Sequence, residues 1–180
     1  MIVLILGTPD SGKSLKAESL ITEMSEGGEI LYVATMIPYG KEGEERIARH
    51  RKMREGKGFI TIECPTEVDR LIDDIDSLEE KNILLECMSN LVGNEMHSES
   101  NNDLSQEELS DRIITETMML GEKSKNLVIV SNSFPEDDPL YDEDTRRYVK
   151  LVNKVNVLLK EKSDKTIELT DGEWIISGNL

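Results

Sequence analysis

Short hydrophobic runs alternate along the chain with segments whose apolar residues recur at helical spacing. The runs at 2–6, 30–34, 59–63, 82–86 and 127–130 are rich in Ile, Leu and Val and predict strands. Helical spacing is found in the intervening segments, in the sets Ala17, Leu20, Ile21 and Met24; Val68, Leu71, Ile72 and Ile75; and Tyr148, Leu151, Val152, Val155 and Leu159. This alternation predicts an α/β fold in which helices flank a mostly parallel sheet.

Polar and glycine-containing segments define the remaining elements. Residues 95–107 are polar and predict a mobile connection. Ser105 and Glu108 have the spacing of a capping box for a helix that runs to about Glu122. Near the end of the chain, Asp171-Gly172 separates two short apolar runs and predicts a closing β-hairpin. The length of 180 residues and the lack of repeats predict a single domain over 1–180.

A phosphate-binding sequence, G-T-P-D-S-G-K-S, follows the first strand directly and precedes the first helix. Glycines let the backbone curl around an anion, and the helix N-terminus adds a positive dipole end. A lysine at position 13 is expected to contact the β- and γ-phosphates, and the next residue to complete a Mg²⁺ shell. The predicted nucleotide-binding residues of this loop are Gly7, Thr8, Pro9, Asp10, Ser11, Gly12, Lys13 and Ser14.

A second candidate is Glu86, the last residue of the predicted strand 82–86. Parallel strands gather their carboxyl ends at one edge of the sheet, so this carboxylate is expected near the loop. It is predicted to act in catalysis and to hold Mg²⁺ together with Ser14. The alternative is a solvated glutamate or a partner for a helix N-terminus.

The segment 46–54 holds five cationic side chains in a chain whose net charge is −16. Such a local concentration suggests a phosphate clamp, with Arg46 and Arg54 as candidates. His50 lies in its middle, and the surrounding cations favour the neutral imidazole that nucleophilic attack requires. Taken alone, however, a histidine on a charged helix is more often a solvated surface residue.

Charge and composition exclude several classes. A net charge of −16 argues against nucleic acid or an anionic membrane as a general partner. No apolar stretch approaches the ~20 residues needed to span a bilayer. Cys64 and Cys87 lack metal or disulfide spacing, which fits a reducing, cytoplasmic setting. The acidic segment 136–144 predicts a solvated loop before a helix, with a divalent-ion site as the weaker alternative.

In this order and spacing, the motifs resemble the adenosylcobinamide kinase/adenosylcobinamide-phosphate guanylyltransferase family of cobalamin biosynthesis. The most specific part runs from L-Y-V-A-T at 31–35 to the histidine segment. The other matching pieces are the phosphate loop, T-I-E at 61–63, I-L-L-E-C at 83–87, V-I-V-S-N at 128–132, Arg146 and Asn156.

The resemblance implies a three-layer P-loop NTPase fold with a RecA-like sheet. It also implies two reactions: phosphorylation of adenosylcobinamide by ATP or GTP, and transfer of GMP from GTP to the phosphorylated product. His50 matches the position that becomes guanylylated, Lys13 and Mg²⁺ would serve the phosphates, and the substrates would be nucleotides and a corrinoid. A homo-oligomer, by resemblance a trimer, is implied as well.

Two departures keep alternatives open. Asp10 stands where the family usually has Arg, and the segment 133–139 differs in chemistry from the family pattern. One alternative is therefore a monofunctional guanylyltransferase, and another is a P-loop small-molecule kinase without a covalent intermediate. A nucleotide switch is disfavoured because Asn132 is followed by Ser-Phe-Pro and not by a guanine-reading segment.

Overall fold

The computed structural model describes residues 1–38 and 40–178, except the side chains of Glu42, Arg46, His50 and Met53. The strands are β1 (Ile2–Gly7), β2 (Ile30–Ala34), β3 (Phe59–Glu63), β4 (Asn82–Glu86), β5 (Asn126–Asn132), β6 (Lys165–Thr170) and β7 (Glu173–Gly178). The α-helices are α1 (Lys13–Ser25), α2 (Gly40–Arg54), α3 (Leu71–Asp74), α4 (Met88–Met96), α5 (Gln106–Lys123) and α6 (Glu143–Lys162). Short 3₁₀ turns cover Val68–Arg70, Leu78–Glu80 and Glu99–Asn101.

The strands form one seven-stranded sheet in the order β3-β2-β4-β5-β1-β6-β7. All neighbours are parallel except β6 and β7, which form an antiparallel hairpin through the turn at Asp171-Gly172. The predicted mostly parallel sheet with a C-terminal β-hairpin is therefore confirmed.

Helices cover both faces of the sheet, which confirms the predicted three layers. On one face, Ala17 and Ile21 of α1 pack with Val3, Ile5 and Leu84 of the sheet. On the other face, α4, α5 and α6 bury a larger cluster, including Leu91, Ile113, Leu120, Val152 and Leu159. Strands β1, β4 and β5 are almost wholly buried because both of their faces are covered.

Close packing on the larger face depends on a glycine in α5. A Cβ added at Gly121 would lie 2.6 Å from Cδ1 of Ile2 and 3.0 Å from Cδ2 of Leu127. The backbone of α5 therefore approaches the centre of the sheet more closely than any larger residue would allow.

The connection between α4 and α5 is more structured than predicted. Helix α4 extends to Met96, and a 3₁₀ turn follows at Glu99–Asn101, so the boundaries of the predicted loop at 95–107 were wrong. Asn101 is buried and donates hydrogen bonds to the backbone and side chain of Glu95. The predicted capping box is confirmed, because Ser105 accepts from the Glu108 N–H while Glu108 accepts from the Ser105 N–H.

Helix α2 begins at Gly40 and includes the basic segment 46–54. Among its described side chains, Arg54 is the buried one, and most of the others face solvent. Its C-terminus meets the carboxyl ends of β2 and β4, where the site described below is formed. None of the described helices is long and apolar enough to cross a bilayer.

Candidate active site

The phosphate loop connects the end of β1 to the start of α1 and depends on two glycines. Gly12 has φ 84°, a left-handed conformation that glycine adopts without strain, and it accepts a hydrogen bond from the N–H of Lys16 at 3.1 Å. A Cβ at Gly7 would lie only 2.7 Å from Oγ of Ser11. Asp10 also has a left-handed conformation, with φ 57°, which aspartate tolerates better than most residues.

Lys13 lies inside this loop. Its side chain is buried, and Nζ donates a hydrogen bond to the carbonyl oxygen of Thr8 at 2.8 Å. Burial lowers the pKa of Lys13 from its ordinary value, while Cys87, Glu86 and Asp10 oppose that shift. The loop thus holds an internal cation beside its backbone N–H groups.

Ser14 and Glu86 are brought into direct contact, as the parallel topology predicts. The Ser14 hydroxyl donates a hydrogen bond to Oε1 of Glu86, whose side chain is buried at the end of β4. Ser11 adds a buried hydroxyl that has no hydrogen-bond partner among the described residues. Hydroxyl and carboxylate oxygens therefore meet at the mouth of the loop.

The end of β4 is held by Thr35, the residue that follows β2. The Thr35 hydroxyl donates to the Cys87 carbonyl oxygen and accepts from the Cys87 N–H, both at 2.8 Å. The Thr35 N–H donates to the Glu86 carbonyl oxygen at 3.1 Å. Because Thr35 is fully buried, these bonds fix the backbone that carries the Glu86 carboxylate.

Arg54 and Tyr32 form the third part of the site. The guanidinium carbon of Arg54 lies 3.4 Å from the centroid of the Tyr32 ring, a stacked cation–π contact. The Tyr32 hydroxyl lies near the Glu86 carboxylate. Burial raises the pKa of Tyr32 well above its ordinary range, and the Glu86 carboxylate raises it further, so this hydroxyl stays protonated.

These parts line one cavity of about 420 Å³ at the carboxyl ends of the parallel strands. Its walls include the loop residues 9–14, Glu86, and Tyr32 with Arg54. Asn90, Asn132, Phe134 and Tyr148 also line the cavity, and the ring centroids of Phe134 and Tyr148 lie 5.8 Å apart. The volume suits a nucleotide-sized ligand with part of a second substrate.

Two predicted site residues, Arg46 and His50, have side chains that lie outside the described part of the structure. Their backbone positions belong to α2. From the same helix, Ile47, Arg51 and Arg54 line the cavity. Gly7 and Thr8 shape the loop but do not line the cavity.

A resident metal cage is absent from the described part of the chain, where no group of three or more His, Cys, Asp or Glu could hold an ion. The donor set at the loop nevertheless fits Mg²⁺. This ion commonly takes one or two protein oxygens and completes its shell with substrate phosphates and water. Ser14 and Glu86 supply such oxygens.

Two aspartates of the acidic segment 136–144 accept hydrogen bonds from backbone N–H groups. Asp138 accepts a hydrogen bond from the Leu140 N–H, and Asp142 caps α6 by accepting from the Thr145 N–H. These contacts agree with the predicted loop leading into a helix.

Sequence reasoning missed Tyr32 and Asn90 as site residues, and it quoted Thr35 only as part of a motif. The signal for Tyr32 was its place in a strand two residues before the strand end, on the same face as Glu86. That relation becomes visible only when β2 is known to pair with β4.

The family model for cobinamide kinase / cobinamide phosphate guanyltransferase matches residues 3–175. The chain belongs to this family. Membership confirms the resemblance that the motifs indicated, from the phosphate loop through the histidine segment. A curated relative, the bifunctional adenosylcobalamin biosynthesis protein CobU of Escherichia coli (strain K12), is 38% identical over 95 residues. That match covers 52% of this chain and 49% of the relative, so it spans about half the length of each.

Two solved structures align with most of this chain. The ATPase domain of G40P aligns with a TM-score of 0.57 at 12% identity, covering 98% of this chain and 76% of that one. The flagellar accessory protein FlaH from Methanocaldococcus jannaschii aligns with a TM-score of 0.49 at 14% identity, covering 96% and 74%. The first likeness agrees with a RecA-like arrangement of the sheet in this family member.

Proposed function

We propose that the protein phosphorylates adenosylcobinamide with a nucleoside triphosphate and then transfers GMP from GTP to the product, giving adenosylcobinamide-GDP. The observation that carries this proposal is the contact between Ser14 and Glu86, which joins the phosphate loop to a strand-end carboxylate. Family membership supports a cobinamide as the acceptor. The cavity at the sheet edge has the volume for a nucleotide and part of the acceptor.

The nucleotide phosphates would lie in the loop of residues 7–14. Backbone N–H groups, the Lys13 ammonium and the orphaned Ser11 hydroxyl are the donors that face them. Ser14 and Glu86 would hold Mg²⁺, which when bound neutralises charge on the β- and γ-phosphates. One N–H of the Lys13 ammonium donates a hydrogen bond to the Thr8 carbonyl oxygen. A bound phosphate would be a stronger acceptor for this N–H.

In the first reaction, the acceptor hydroxyl oxygen attacks the γ-phosphorus. The new O–P bond forms as the bond to the bridging oxygen of the leaving nucleoside diphosphate breaks, and the hydroxyl proton passes to solvent. Lys13 stabilises the charge that develops on the leaving phosphates. Asn90, Asn132, Phe134 and Tyr148 line the same cavity and are proposed to contact the acceptor.

In the second reaction, we propose His50 as the nucleophile. Its neutral imidazole nitrogen attacks the α-phosphorus of GTP, pyrophosphate leaves, and a phosphoramidate forms. A phosphate oxygen of the acceptor then attacks the same phosphorus, the P–N bond breaks and the imidazole is restored. Arg46 and Arg54 are proposed to bind phosphate oxygens in these steps. Support comes from the basic segment 46–54 and from its helix, three of whose described residues line the cavity.

The experiment that tests this route uses GTP labelled at the α-phosphate and Mg²⁺. Wild type is expected to retain acid-labile, alkali-stable label, and His50→Ala to retain none. His97→Ala is the matched control because His97 is the other histidine of the chain and lies on the exposed end of α4. Label retained equally by wild type and His50→Ala overturns the histidine route. Absence of an adduct in wild type favours the kinase that has no covalent intermediate.

Two further proposals accompany this function. A cytoplasmic location is supported by the family's biosynthetic role and by the unpaired cysteines, Cys64 and Cys87. A homo-oligomer, a trimer by resemblance to the family, is supported by exposed apolar side chains on the edge strands, namely Ile60, Ile175 and Ile176. Light scattering coupled to size exclusion measures the number of chains directly, and a monomer at assay concentration overturns the second proposal.

A further inference from the structure

Arg54 is the most unusual charged residue in the described part of the chain. Its side chain is only 7% exposed, yet Nε and Nη1 have no hydrogen-bond partner among the described residues. Buried arginines are normally paired, because a desolvated guanidinium with unused donors is costly. Arg54 also lines the 420 Å³ cavity, so a ligand there can reach it.

The Tyr32 ring supports the Arg54 guanidinium, for which no ion pair is found among the described residues. The ring supports the cation face-on at 3.4 Å, and the Glu86 carboxylate lies near the hydroxyl. Strand pairing sets this arrangement, since Tyr32 lies opposite Leu84 and Glu86 is two residues further on the same face. Tyr32 is itself 3% exposed and packs in the core beneath α1, so its ring cannot swing away freely.

We propose that Arg54 and Tyr32 form a second phosphate subsite, separate from the loop, in which Arg54 binds phosphate oxygens and Tyr32 positions it. The inference rests on the proposed function, which brings phosphate-bearing substrates into this cavity. Arg54 comes from the end of α2 on the β2 side of Glu86, whereas Ser14 reaches Glu86 from α1. The phosphate bound by Arg54 is therefore a different one from those that the loop surrounds.

That phosphate belongs either to the nucleotide, as its α-phosphate, or to the phosphorylated acceptor. Both are oxyanions, and either satisfies the free N–H donors of Arg54. The two sources are separated by titrating GTP and cobinamide phosphate, each alone, into the same set of variants by calorimetry.

Arg54→Met keeps an apolar stem over the Tyr32 ring but removes the charge and the donors. We expect it to weaken binding of one of the two ligands by about tenfold or more, as loss of a charge-assisted hydrogen bond does. Arg54→Lys is expected to recover part of that loss. Arg49→Met, an exposed arginine on the same helix, is the matched control and is expected to stay within about twofold of wild type.

Two variants of Tyr32 test the roles of its ring and its hydroxyl separately. Tyr32→Phe keeps the ring under Arg54 and is expected to preserve the affinity, whereas Tyr32→Leu removes the ring and is expected to weaken the same ligand as Arg54→Met. Since Tyr32 acts through Arg54, the double variant with Arg54→Met is expected to bind no more weakly than Arg54→Met alone. Additive losses overturn the positioning role, and so does a folded Tyr32→Phe variant that binds the ligand as weakly as Arg54→Met although it keeps the ring.

The affinities of Arg54→Met for GTP and for cobinamide phosphate either assign the subsite to one ligand or refute it. Weaker GTP binding by Arg54→Met assigns the subsite to the nucleotide, and weaker cobinamide phosphate binding assigns it to the acceptor. If folded Arg54→Met binds both ligands as wild type does while Lys13→Met loses GTP, the subsite is refuted and the proposed function stands. If wild type binds neither ligand, both are refuted.

Discussion

The hydroxyl of Ser14 donates a hydrogen bond to the carboxylate of Glu86, 72 residues away in the chain. Ser14 is the last residue of the phosphate loop and the second of α1, and Glu86 ends β4, so the bond joins the segments that follow two parallel strands. The Tyr32 side chain lies near the same carboxylate from β2, and the negative charge of Glu86 opposes the lowering of the Lys13 pKa. Glu86 is therefore the point at which the loop, the sheet and the Arg54 side of the cavity meet.

Replacing Lys13 tests the loop. Lys13→Met is expected to weaken GTP binding by about tenfold to a hundredfold, because hydrogen bonds to charged groups contribute about 1.5–3 kcal/mol. Calorimetric titration measures the change. Lys16→Met is the matched control, since Lys16 lies on the same helix but is exposed. Equal affinities for the two variants would show that the nucleotide does not use the loop.

Glu86→Gln tests the carboxylate. The amide keeps an oxygen that can accept from Ser14 but removes the charge that attracts a divalent cation. We expect the Mg²⁺ concentration for half-maximal GTP binding to rise by about tenfold, and Mn²⁺ binding followed by electron paramagnetic resonance to weaken in parallel. Glu173→Gln changes an exposed carboxylate on the edge strand β7, away from the cavity, and serves as control. An unchanged cation requirement in Glu86→Gln would remove Glu86 from the metal site.

Asn101 links two charged side chains in the connection before α5. It donates to Oε2 of the buried Glu95 at 2.6 Å and accepts from Arg112 at 2.6 Å. Asn101→Ala leaves both without this partner and is expected to lower the free energy of unfolding by about 1–3 kcal/mol. Urea denaturation measures it, with the exposed neighbour Asn102→Ala as control. A loss no larger than the control's would contradict the account of this segment.

The pair of His97 and Asp144 gives stability a small pH dependence. Hydrogen bonds to the Gly93 carbonyl and then to Asp144 raise the pKa of His97. The contribution of these His97 interactions to the free energy of unfolding is therefore greatest below the pKa of the unfolded state, about 6.5. It disappears as the pH rises through the higher pKa of the folded state. Because both side chains are exposed, it amounts to at most about 1 kcal/mol. We expect wild type to exceed His97→Gln in unfolding free energy at pH 5.5 and to approach it at pH 8.5; the reverse order would contradict this.

Most of the fold could be predicted because it depends on local patterns. Buried strands such as β1 and β4 are continuous apolar runs, and the loop is one contiguous segment. Glu86 could be predicted because a strand-end carboxylate needs only the knowledge that parallel strands share an edge.

The remaining site residues depend on which strands are neighbours. Tyr32 meets Glu86, and Thr35 holds the Cys87 backbone, because β2 pairs with β4 although β3 lies between them in sequence. Arg54 was predicted as a phosphate ligand from charge alone. Its burial on an aromatic ring could not be predicted, because the pattern of α2 is that of a solvated helix.

The most direct test of the proposed function follows two labels into one product. The protein is incubated with adenosylcobinamide, Mg²⁺, ATP and GTP, with label either at the γ-phosphate of both nucleotides or at the α-phosphate of GTP, and the corrinoid is isolated by chromatography. Wild type is expected to give a phosphorylated intermediate that carries the γ-label and a final corrinoid that carries the γ-label or the α-label, according to the nucleotide supplied. Lys13→Met is expected to form neither labelled corrinoid. A corrinoid that carries neither label, from wild type that binds GTP, would contradict the account.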